Sequence, residues 1–334
     1  HWFELFRDEN HTTLRTSGKI PAEYPTLSAW QVIDEPATGH VIFERNPYYW
    51  KLDSEGNQLP YIDGIHSEYV GNPEARNLKG IAGEVDFAQN PLDIAPLLLS
   101  HRKRGKYSVR MWVENQGTRV TYFLNQTFPD PELRKLFRDR RFRIALSLGI
   151  NREEINDILY FGKCIPRQAT VNRACSYFEP EFESSYAEYD PDRANQILDK
   201  IGLERKGPAG WRHFPSGRQV VLSPVVIEGG FRPEMTELVA DYWAPLGILL
   251  SWKVVDNELV YTKLTGNQLD LAIYPGDTAT DVGIAMGTPL QMQCWAPAWE
   301  DWFLSNGTRG EEPPANIQDL WQTWRQLRQT GDEE

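Results

Sequence analysis

The sequence predicts an α/β fold, because short apolar strands alternate with amphipathic helices along much of the chain. The clearest series lies in residues 219–274, where three strand-like runs are separated by two helix-like runs. The run 248–254 alternates with the period of two that is typical of a strand, and the first helix repeats its apolar side chains at helical spacing: Met235, Leu238, Val239, Tyr242 and Trp243. Such a β-α-β-α-β series predicts a sheet with crossover helices and ligands bound at the carboxyl ends of its strands.

The first third of the chain contains the predicted strands His40–Arg45 and Tyr61–Val70. A helix is expected to begin after Asn72, because Asn caps helices and Pro73 fits the first helical position. Gly83 should end this helix. The remaining runs predict strands over Val85–Ala88, Tyr107–Val113 and Arg119–Asn125, and a helix over Pro91–Arg104.

Helices are predicted on both sides of the β-α-β-α-β series. Apolar positions from Leu133 to Leu148 share a helical face, and Asn151 is placed to cap a further helix. Tyr189-Asp190-Pro191 opens another helix, which Gly202 should end. Near the C terminus, one helical face that must dock on another surface carries Ile317, Leu320, Trp321, Trp324 and Leu327.

Composition and charge exclude several classes of protein. The length of 334 residues suggests about two domains and a chain large enough to bury a core. An aromatic content of 12% argues against an intrinsically disordered polymer, and no run approaches the ~18 apolar residues of a membrane span. The net charge of −12 repels polyanions, so nucleic acid is not an expected partner. Basic residues nevertheless cluster between Leu133 and Arg152, where a solvated helix face is the ordinary interpretation and a phosphate-binding site the alternative.

The one match to a catalytic motif is S-x-x-K at Ser100-His101-Arg102-Lys103, and the K-T-G and S-D-N motifs that accompany it in penicillin-binding enzymes do not occur. The three cysteines, Cys164, Cys175 and Cys294, form no C-x-x-C pair, and no two histidines stand four residues apart. Phosphate-loop, zinc-protease and nucleophile-elbow motifs do not occur. We therefore expect no metal, no cofactor and no catalytic residue. A disulfide bond between Cys164 and Cys175 is left open, because spacing does not establish that their side chains meet.

Two loop carboxylates and a group of tryptophans are the candidate binding residues. Asp277 and Asp281 follow the strand-like run that ends at Tyr274, where the β-α-β-α-β series predicts a ligand. Acid/base catalysis by the pair, loop capping, and anchoring of a ligand ammonium group by one carboxylate are all compatible with this spacing. One helical face, of a kind typical of a core but also suited to the wall of a ligand cavity, is predicted to carry Trp295, Trp299 and Trp302.

The order of several segments resembles one known protein family. The segments are Tyr24-Pro25-Thr26-Leu27 with Trp30, the run His40-Val41-Ile42-Phe43-Glu44-Arg45-Asn46-Pro47-Tyr48-Tyr49-Trp50, Leu59-Pro60-Tyr61-Ile62-Asp63, Glu74-Ala75-Arg76, Gly83-Glu84-Val85-Asp86, Tyr122-Phe123-Leu124-Asn125, Phe142–Ser147, Ile150–Ile155 and Tyr189-Asp190-Pro191. Together they resemble the extracellular solute-binding proteins of the oligopeptide/dipeptide type, family 5, which capture ligands for ABC importers. The matching segments extend from about residue 24 to residue 308 in the family's order.

This resemblance implies an α/β fold of the two-lobed periplasmic-binding-protein type (class II, peptide-binding-protein-like), whose lobes close over the ligand. It also implies that the N-terminal part of lobe I is absent from the chain. Residues 1–130 would then be a partial lobe I, residues 131–285 a second α/β lobe, and residues 286–334 a return segment to lobe I.

The resemblance also assigns roles to the candidate residues. The family binds a ligand ammonium group through an Asp in a G-W-x-x-D segment, and Ile273-Tyr274-Pro275-Gly276-Asp277 occupies that place without the family's Gly and Trp. Asp277 is therefore expected to pair with a cationic ligand group, with Asp281 in the same loop. The cavity around the ligand is expected to be shaped by Tyr274, Trp295, Trp299 and Trp302.

The function implied by the resemblance is binding rather than catalysis. We expect capture of a small solute, with a peptide as the favoured ligand, for import by an ABC transporter. The expected partners are the solute and the permease subunits, with membrane association only through the permease or an anchor outside this chain. The expected location is the periplasm or the extracellular face of a bacterial membrane, with the signal peptide not included in these residues. A ligand-sensing domain of a transcriptional regulator is the alternative, and a hydrolase using Asp277 and Asp281 is a third hypothesis.

Overall fold

The structure is a computed structural model in which the described residues fall into two compact units, divided between Val109 and Arg110. The described residues are 26–34, 39–89, 94–112, 117–227, 233–276, 280–281, 283 and 291–329. The three-part division at residues 130 and 285 that the resemblance implies stays a prediction.

The first unit contains a three-stranded antiparallel sheet of β1 (Trp30–Asp34), β2 (His40–Arg45) and β3 (Gly64–Glu68). Two helices follow, α1 (Pro73–Ala82) and α2 (Ala95–Gly105). Every residue of β3 is exposed. The hydrophobic side chains that are buried among the described residues of this unit are Ala95 and Leu98, so this part of the chain has little core of its own.

Helix α1 begins and ends where the sequence predicts, because both of its ends are set by local chemistry. The Asn72 side chain accepts a hydrogen bond from the Ala75 backbone N–H at 2.8 Å. Gly83 follows the helix with a φ of 77°, and a Cβ at this position would lie 2.2 Å from the carbonyl oxygen of Gly105. Only glycine satisfies both requirements, since the left-handed backbone and the close approach of α2 leave no room for a side chain.

The second unit is larger and contains most of the helices and strands. Its helices are α3 (Pro131–Arg138), α4 (Arg140–Leu148), α5 (Arg152–Tyr160), α6 (Pro180–Ser184), α7 (Pro191–Lys200), α8 (Pro233–Trp243), α9 (Asn257–Thr265), α10 (Met292–Trp295), α11 (Pro297–Leu304) and α12 (Ala315–Leu327). Its strands are β4 (Thr121–Leu124), β5 (Glu204–Lys206), β6 (Trp211–His213), β7 (Val221–Leu222), β8 (Val225–Ile227), β9 (Leu249–Leu250), β10 (Lys253–Val255) and β11 (Leu271–Tyr274). This alternation confirms the predicted α/β class.

The predicted β-α-β-α-β series is present, but two of its strands are broken in the middle. β7 pairs in parallel with β9, whereas β8 pairs in parallel with β10. The break falls at Ser223-Pro224, where Pro224 has no N–H to donate to a sheet. The third strand, β11, pairs antiparallel with β4, with Tyr274 opposite Thr121 and Leu271 opposite Leu124.

Two strands predicted near the unit boundary are wrong. Residues 85–88 and 107–112 form no strand in the structure. Both runs have the composition of strands but pair with no neighbouring strand among the described residues, and β propensity alone does not form a sheet. The helix predicted from Pro91 is described from Ala95 to Gly105, and residues 91–93 lie outside the described part of the chain.

The core of the second unit is formed by the buried faces of helices α3, α4 and α8 and by the parallel strands. Phe137, Phe142 and Trp243 are almost completely buried, and the Trp243 indole N–H donates to the Leu146 carbonyl at 3.0 Å. Arg212 is also fully buried, where its guanidinium donates to Asp199 Oδ1 at 2.7 Å and to the Leu203 carbonyl at 2.6 Å. A buried guanidinium is tolerated because its donors find acceptors.

The basic cluster between residues 133 and 152 is committed largely to intramolecular contacts. Arg134 Nε donates to the Phe128 carbonyl at 2.6 Å and Arg138 Nε to the Gln126 carbonyl at 2.7 Å. Arg152 donates to the Ser147 carbonyl at 2.9 Å, and burial lowers its pKa to about 10. These arginines therefore donate to main-chain carbonyls, which gives them a structural role. This role differs from both a solvated helix face and a phosphate-binding site, the two interpretations of the sequence.

No disulfide bond joins any of the three cysteines, all of which lie within the described residues. Across the described residues, every helix is too short or too polar to cross a lipid bilayer.

Candidate functional site

The candidate site lies in the second unit, at the end of the two-stranded ribbon formed by β4 and β11. Tyr274 closes β11 opposite Thr121, with its ring half-buried against the hydrophobic cluster that contains Ala272 and Cys294. Burial raises the pKa of the Tyr274 phenol. The hydroxyl oxygens of Thr118 and Thr121 are buried and make no hydrogen bond within the described residues. This end of the ribbon therefore holds two buried polar groups, and buried polar groups in proteins are normally hydrogen-bonded.

Asp277, the predicted ligand-anchoring residue, lies outside the described residues. The chain is described up to Gly276, whose N–H donates to the Thr118 carbonyl at 2.8 Å. A Cβ on Gly276 would lie 3.1 Å from both the Cβ and the backbone nitrogen of Thr118. The residue before Asp277 is thus attached closely to the segment that leads into β4.

Asp281, the second predicted carboxylate, is bound to a neighbouring loop. Its Oδ1 accepts hydrogen bonds from the Ser176 backbone N–H at 2.8 Å, the Ser176 hydroxyl at 2.7 Å and the Cys175 thiol at 3.1 Å. The contacts from Cys175 and Ser176 lower the pKa of the carboxyl group. A carboxylate held ionised in this way acts as an anchor for the loop rather than as a proton donor.

The three predicted wall tryptophans do not share one helix. Trp295 ends α10, and the chain turns at Ala296-Pro297 before α11 carries Trp299 and Trp302. The prediction of one helical face fails here because Pro297 begins a new helix. Trp295 nevertheless packs edge-to-face on Trp299, with ring centroids 5.9 Å apart.

Trp299 is 3% exposed and belongs to a packed aromatic cluster, which we call the tryptophan cluster. Its buried members are Met292, Ala296, Trp299 and Trp321, and its partly buried members are Trp295, Phe303, Ile317 and Trp324. The cluster joins α12 to α10 and α11, because Trp321 stacks on Phe303 with ring centroids 4.3 Å apart. Trp302 is half-buried and packs edge-to-face on Phe303 at 5.2 Å. The two-tryptophan face of α12 therefore docks within the second unit.

Glu311 fastens the tryptophan cluster to helix α3. Its carboxylate accepts from Arg138 at 2.6 Å, from Arg134 at 3.1 Å and from the Trp299 indole N–H at 3.4 Å. The Arg138 guanidinium also lies over the Trp299 ring, 5.1 Å from its centroid. Beside these groups is a depression of about 530 Å³, lined by Gln126, Arg138, Trp299, Glu311, Glu312, Pro313 and Pro314.

A loop whose partners were not predicted from the sequence contacts the chain on both sides of the ribbon end. Arg167 in this loop donates to the Gly117 carbonyl at 2.5 Å and to Glu183 at 3.0 Å. The only signal in the sequence was the run Arg167 to Arg173 with its mixed polar composition, which predicts a loop but no partner.

A buried carboxylate at the opposite end of the ribbon was also missed. Asp270 is 5% exposed, and it accepts from the Ser223 and Leu271 backbone N–H groups, each at 2.7 Å. Burial raises its pKa to about 6. The described residues contain no group of three or more His, Cys, Asp or Glu side chains that could hold a metal ion.

Comparison with known proteins identifies the family. The model of the bacterial extracellular solute-binding proteins, family 5 (middle region), matches residues 10–287. A periplasmic alpha-galactoside-binding protein of Rhizobium meliloti (strain 1021) is 26% identical over 297 residues, which is 81% of this chain and 41% of that protein. The chain thus spans less than half of this curated relative.

Solved structures lead to the same family. A structure named oligopeptide-binding protein OppA is 34% identical, with a TM-score of 0.65, and the match covers 99% of this chain and 55% of that one. The periplasmic binding protein MelB of Agrobacterium fabrum C58, solved in complex with stachyose, shares the fold at 20% identity, with a TM-score of 0.71 over 97% of this chain and 50% of that one. These likenesses confirm the predicted periplasmic-binding-protein fold. The chain therefore belongs to the bacterial extracellular solute-binding proteins, family 5.

Proposed function

We propose that the full-length protein is the solute-binding component of an ABC importer, which captures a small solute between two lobes and delivers it to permease subunits at the outer face of a bacterial membrane. The family match over residues 10–287 is the observation that carries this proposal. Binding proteins of this kind close because the solute binds the closed state more tightly than the open state.

A peptide is the favoured solute, on the basis of the 34% identity to the oligopeptide-binding protein OppA along almost the whole chain. An oligosaccharide is the second candidate, favoured by the alpha-galactoside-binding relative. Oligosaccharides are also worth testing because the segment Tyr274-Pro275-Gly276-Asp277 departs from the family's G-W-x-x-D pattern, which binds a ligand ammonium group.

Tyr274 lies at the ribbon end, and Asp277 follows it in the sequence. Asp277 pairs with a cationic group of the solute, and the half-buried Tyr274 ring forms part of the wall. Trp295 and Trp302 are each half-buried, which leaves part of each ring accessible. The Trp295 carbonyl, however, accepts the Gln126 N–H at 2.7 Å, so this part of the proposed wall lies near the opposite end of the ribbon. Trp299, at 3% exposure, supports the wall from behind rather than touching the solute.

Binding is favoured over hydrolysis by the match to a family of solute-binding proteins, and the second carboxylate is not suited to be the acid of a catalytic pair. Asp281 accepts three hydrogen bonds and its pKa is lowered, so it is poorly suited to donate a proton. A ligand-sensing regulator with the same fold is distinguished by the gene sequence upstream of His1, where a helix-turn-helix in place of a signal peptide would indicate regulation.

The experiment is thermal unfolding and titration calorimetry of the full-length protein with trialanine, pentaalanine, raffinose and stachyose. One class of solute should raise the melting temperature, because a ligand at 100 times its dissociation constant stabilises the folded state by about 2.7 kcal/mol. Failure of all four solutes to bind would contradict the proposal.

The role of Asp277 is tested with the variant Asp277→Asn. Removing one partner of a desolvated charge pair should weaken binding of a peptide by about 2–5 kcal/mol. The matched control is Asp157→Asn on α5, because Asp157 is exposed and lies in the same unit. Equal affinities of Asp277→Asn and wild type for the peptide would show that Asp277 does not bind its ammonium group.

A further inference from the structure

The segment from Ile165 to Phe178, which we call the strap loop, contacts the two backbone segments on either side of the ribbon end. At one end of the loop, Arg167 is bound to the carbonyl of Gly117, the residue before Thr118. At the other end, Ser176 is bound to Asp281. Thr118 in turn accepts the hydrogen bond from Gly276, so the loop is linked to residues on both sides of Asp277 in the sequence.

Arg167 is the centre of the first attachment. Its side chain is 10% exposed, and its guanidinium donates to acceptors in three segments: the Gly117 carbonyl at 2.5 Å, the Val171 and Thr170 carbonyls at 3.2 and 3.4 Å, and Glu183 Oε1 at 3.0 Å. A planar guanidinium serves several acceptors at once, which a lysine ammonium at the same place does not do with the same geometry.

Glu183 on α6 holds Arg167 in position and is itself held by a second arginine. Its carboxylate is 13% exposed and accepts two hydrogen bonds from Arg173, at 2.8 Å from Nη2 and 2.9 Å from Nε. Its backbone carbonyl accepts the Gln168 N–H at 3.0 Å. The ion pairs are shielded from solvent on the carboxylate side, so the contacts of Glu183 are stronger than those of exposed pairs.

The second attachment has the same character. Asp281 uses one oxygen to accept three donors from Cys175 and Ser176, and Cys175 is 6% exposed beneath this contact. A single carboxylate therefore ties the strap loop to the chain that follows β11.

We propose that Arg167, Glu183 and Asp281 are positioning residues for solute binding, which hold the strap loop as one wall of the solute site at the end of the β4–β11 ribbon. This inference rests on the proposed function. The three residues act through the loop, and none of them needs to touch the solute.

The test uses the full-length protein with whichever of trialanine, pentaalanine, raffinose and stachyose binds wild type most tightly. Arg167→Met and Asp281→Ala should each weaken binding at least tenfold. Asp281→Asn keeps the acceptor oxygen for the Ser176 N–H, so its affinity for the solute should stay within about threefold of wild type. If the negative charge of Asp281 were what mattered, Asp281→Asn would weaken binding as much as Asp281→Ala.

The matched control is Arg205→Met. Arg205 also bridges several acceptors, namely Asn195 Oδ1 and the Pro245 carbonyl, each at 2.6 Å, and the Gly210 carbonyl at 3.2 Å. Its loss should lower the melting temperature of the solute-free protein without weakening solute binding. This control separates a general loss of stability from displacement of the strap loop.

A thermodynamic cycle between Arg167→Met and Glu183→Gln supplies a further readout. If both residues act through the strap loop, their effects on affinity should be strongly non-additive, with the double variant little weaker than either single variant. Affinities of Arg167→Met and Asp281→Ala within twofold of wild type would overturn the inference, as would an equal loss in Arg205→Met.

Folding and function are controlled separately in this design. If Arg167→Met does not fold, as judged by its circular dichroism, Asp281→Ala with its Asp281→Asn partner decides the question. If wild type binds a solute and the variants bind it equally well, only this inference fails. If wild type binds none of the four solutes, the proposed function is contradicted and the inference falls with it.

Discussion

Replacing Trp299 with alanine should destabilise the second unit strongly while an exposed tryptophan in the same unit can be removed at little cost. Trp299 is 3% exposed, contacts Trp295 edge-to-face, and donates its indole N–H to Glu311. Truncating a buried Trp to Ala typically costs about 3–5 kcal/mol. At about 2–4 °C per kcal/mol for a unit of this size, the melting temperature should fall by roughly 6–20 °C.

The assay is urea unfolding followed by far-ultraviolet circular dichroism, which does not depend on the fluorescence of the residue removed. Trp112→Ala is the matched control, because Trp112 is 78% exposed and should change the free energy of unfolding by no more than about 0.5 kcal/mol. Trp299→Ala should weaken solute binding only through its lower stability. A loss below about 1 kcal/mol, or a loss equal to that of Trp112→Ala, would refute the assignment of Trp299 to a packed cluster.

Three further predictions concern the buried charges and the first unit. The pKa of Asp270 is raised to about 6 in the folded protein from an ordinary 3.8, so the folded state binds the proton more tightly than the unfolded state does. The free energy of unfolding should therefore fall by about 3 kcal/mol as the pH rises from about 4 to above 6. Asp270→Asn should remove this pH dependence, as measured by urea titrations at several pH values. An unchanged pH profile in Asp270→Asn would contradict the raised pKa. Arg212→Met should lower the free energy of unfolding by about 3–5 kcal/mol, because it leaves the Leu203 and Leu246 carbonyls without their buried donor. Arg309→Met removes an exposed ion pair and should lower the free energy of unfolding by less than about 1 kcal/mol. Similar losses in the two variants would contradict a structural role for the buried Arg212. The protein should bind an apolar fluorescent dye, because β3 is exposed throughout and the first unit buries few hydrophobic side chains; absence of dye binding would mean that this apolar surface is covered.

The helices were predictable because their ends are fixed by neighbours in the sequence. Asn72, Asn151 and Asp190 each cap the helix that the sequence assigns to them, at 2.8, 3.2 and 2.9 Å from the N–H they accept. A cap needs only residues within one helical turn, so the pattern contains all of the information required.

The strands were less predictable because they depend on partners distant in the sequence. The run 219–228 has the composition of one long strand, yet its halves pair with different strands on either side of Pro224. The runs at 85–88 and 107–112 have the composition of strands and form none. Local pattern describes which residues suit a strand, whereas pairing decides which of them form one.

The candidate site shows the same division between local and distant information. Tyr274 was located correctly at the carboxyl end of a strand, since the strand and its end are visible in the sequence. The attachment of Asp281 to Ser176 joins residues 105 positions apart, and that of Arg167 to Gly117 joins residues 50 apart. Neither pairing has a signal in the sequence, and both residues are ordinary loop residues until the fold brings their partners together.

Solute capture is tested most directly by native mass spectrometry of the full-length protein, as purified and after addition of pentaalanine or stachyose. We expect one solute molecule bound to each protein chain, released when the protein is unfolded. Detection of only the unliganded mass under all of these conditions would contradict the assignment of the protein to solute capture.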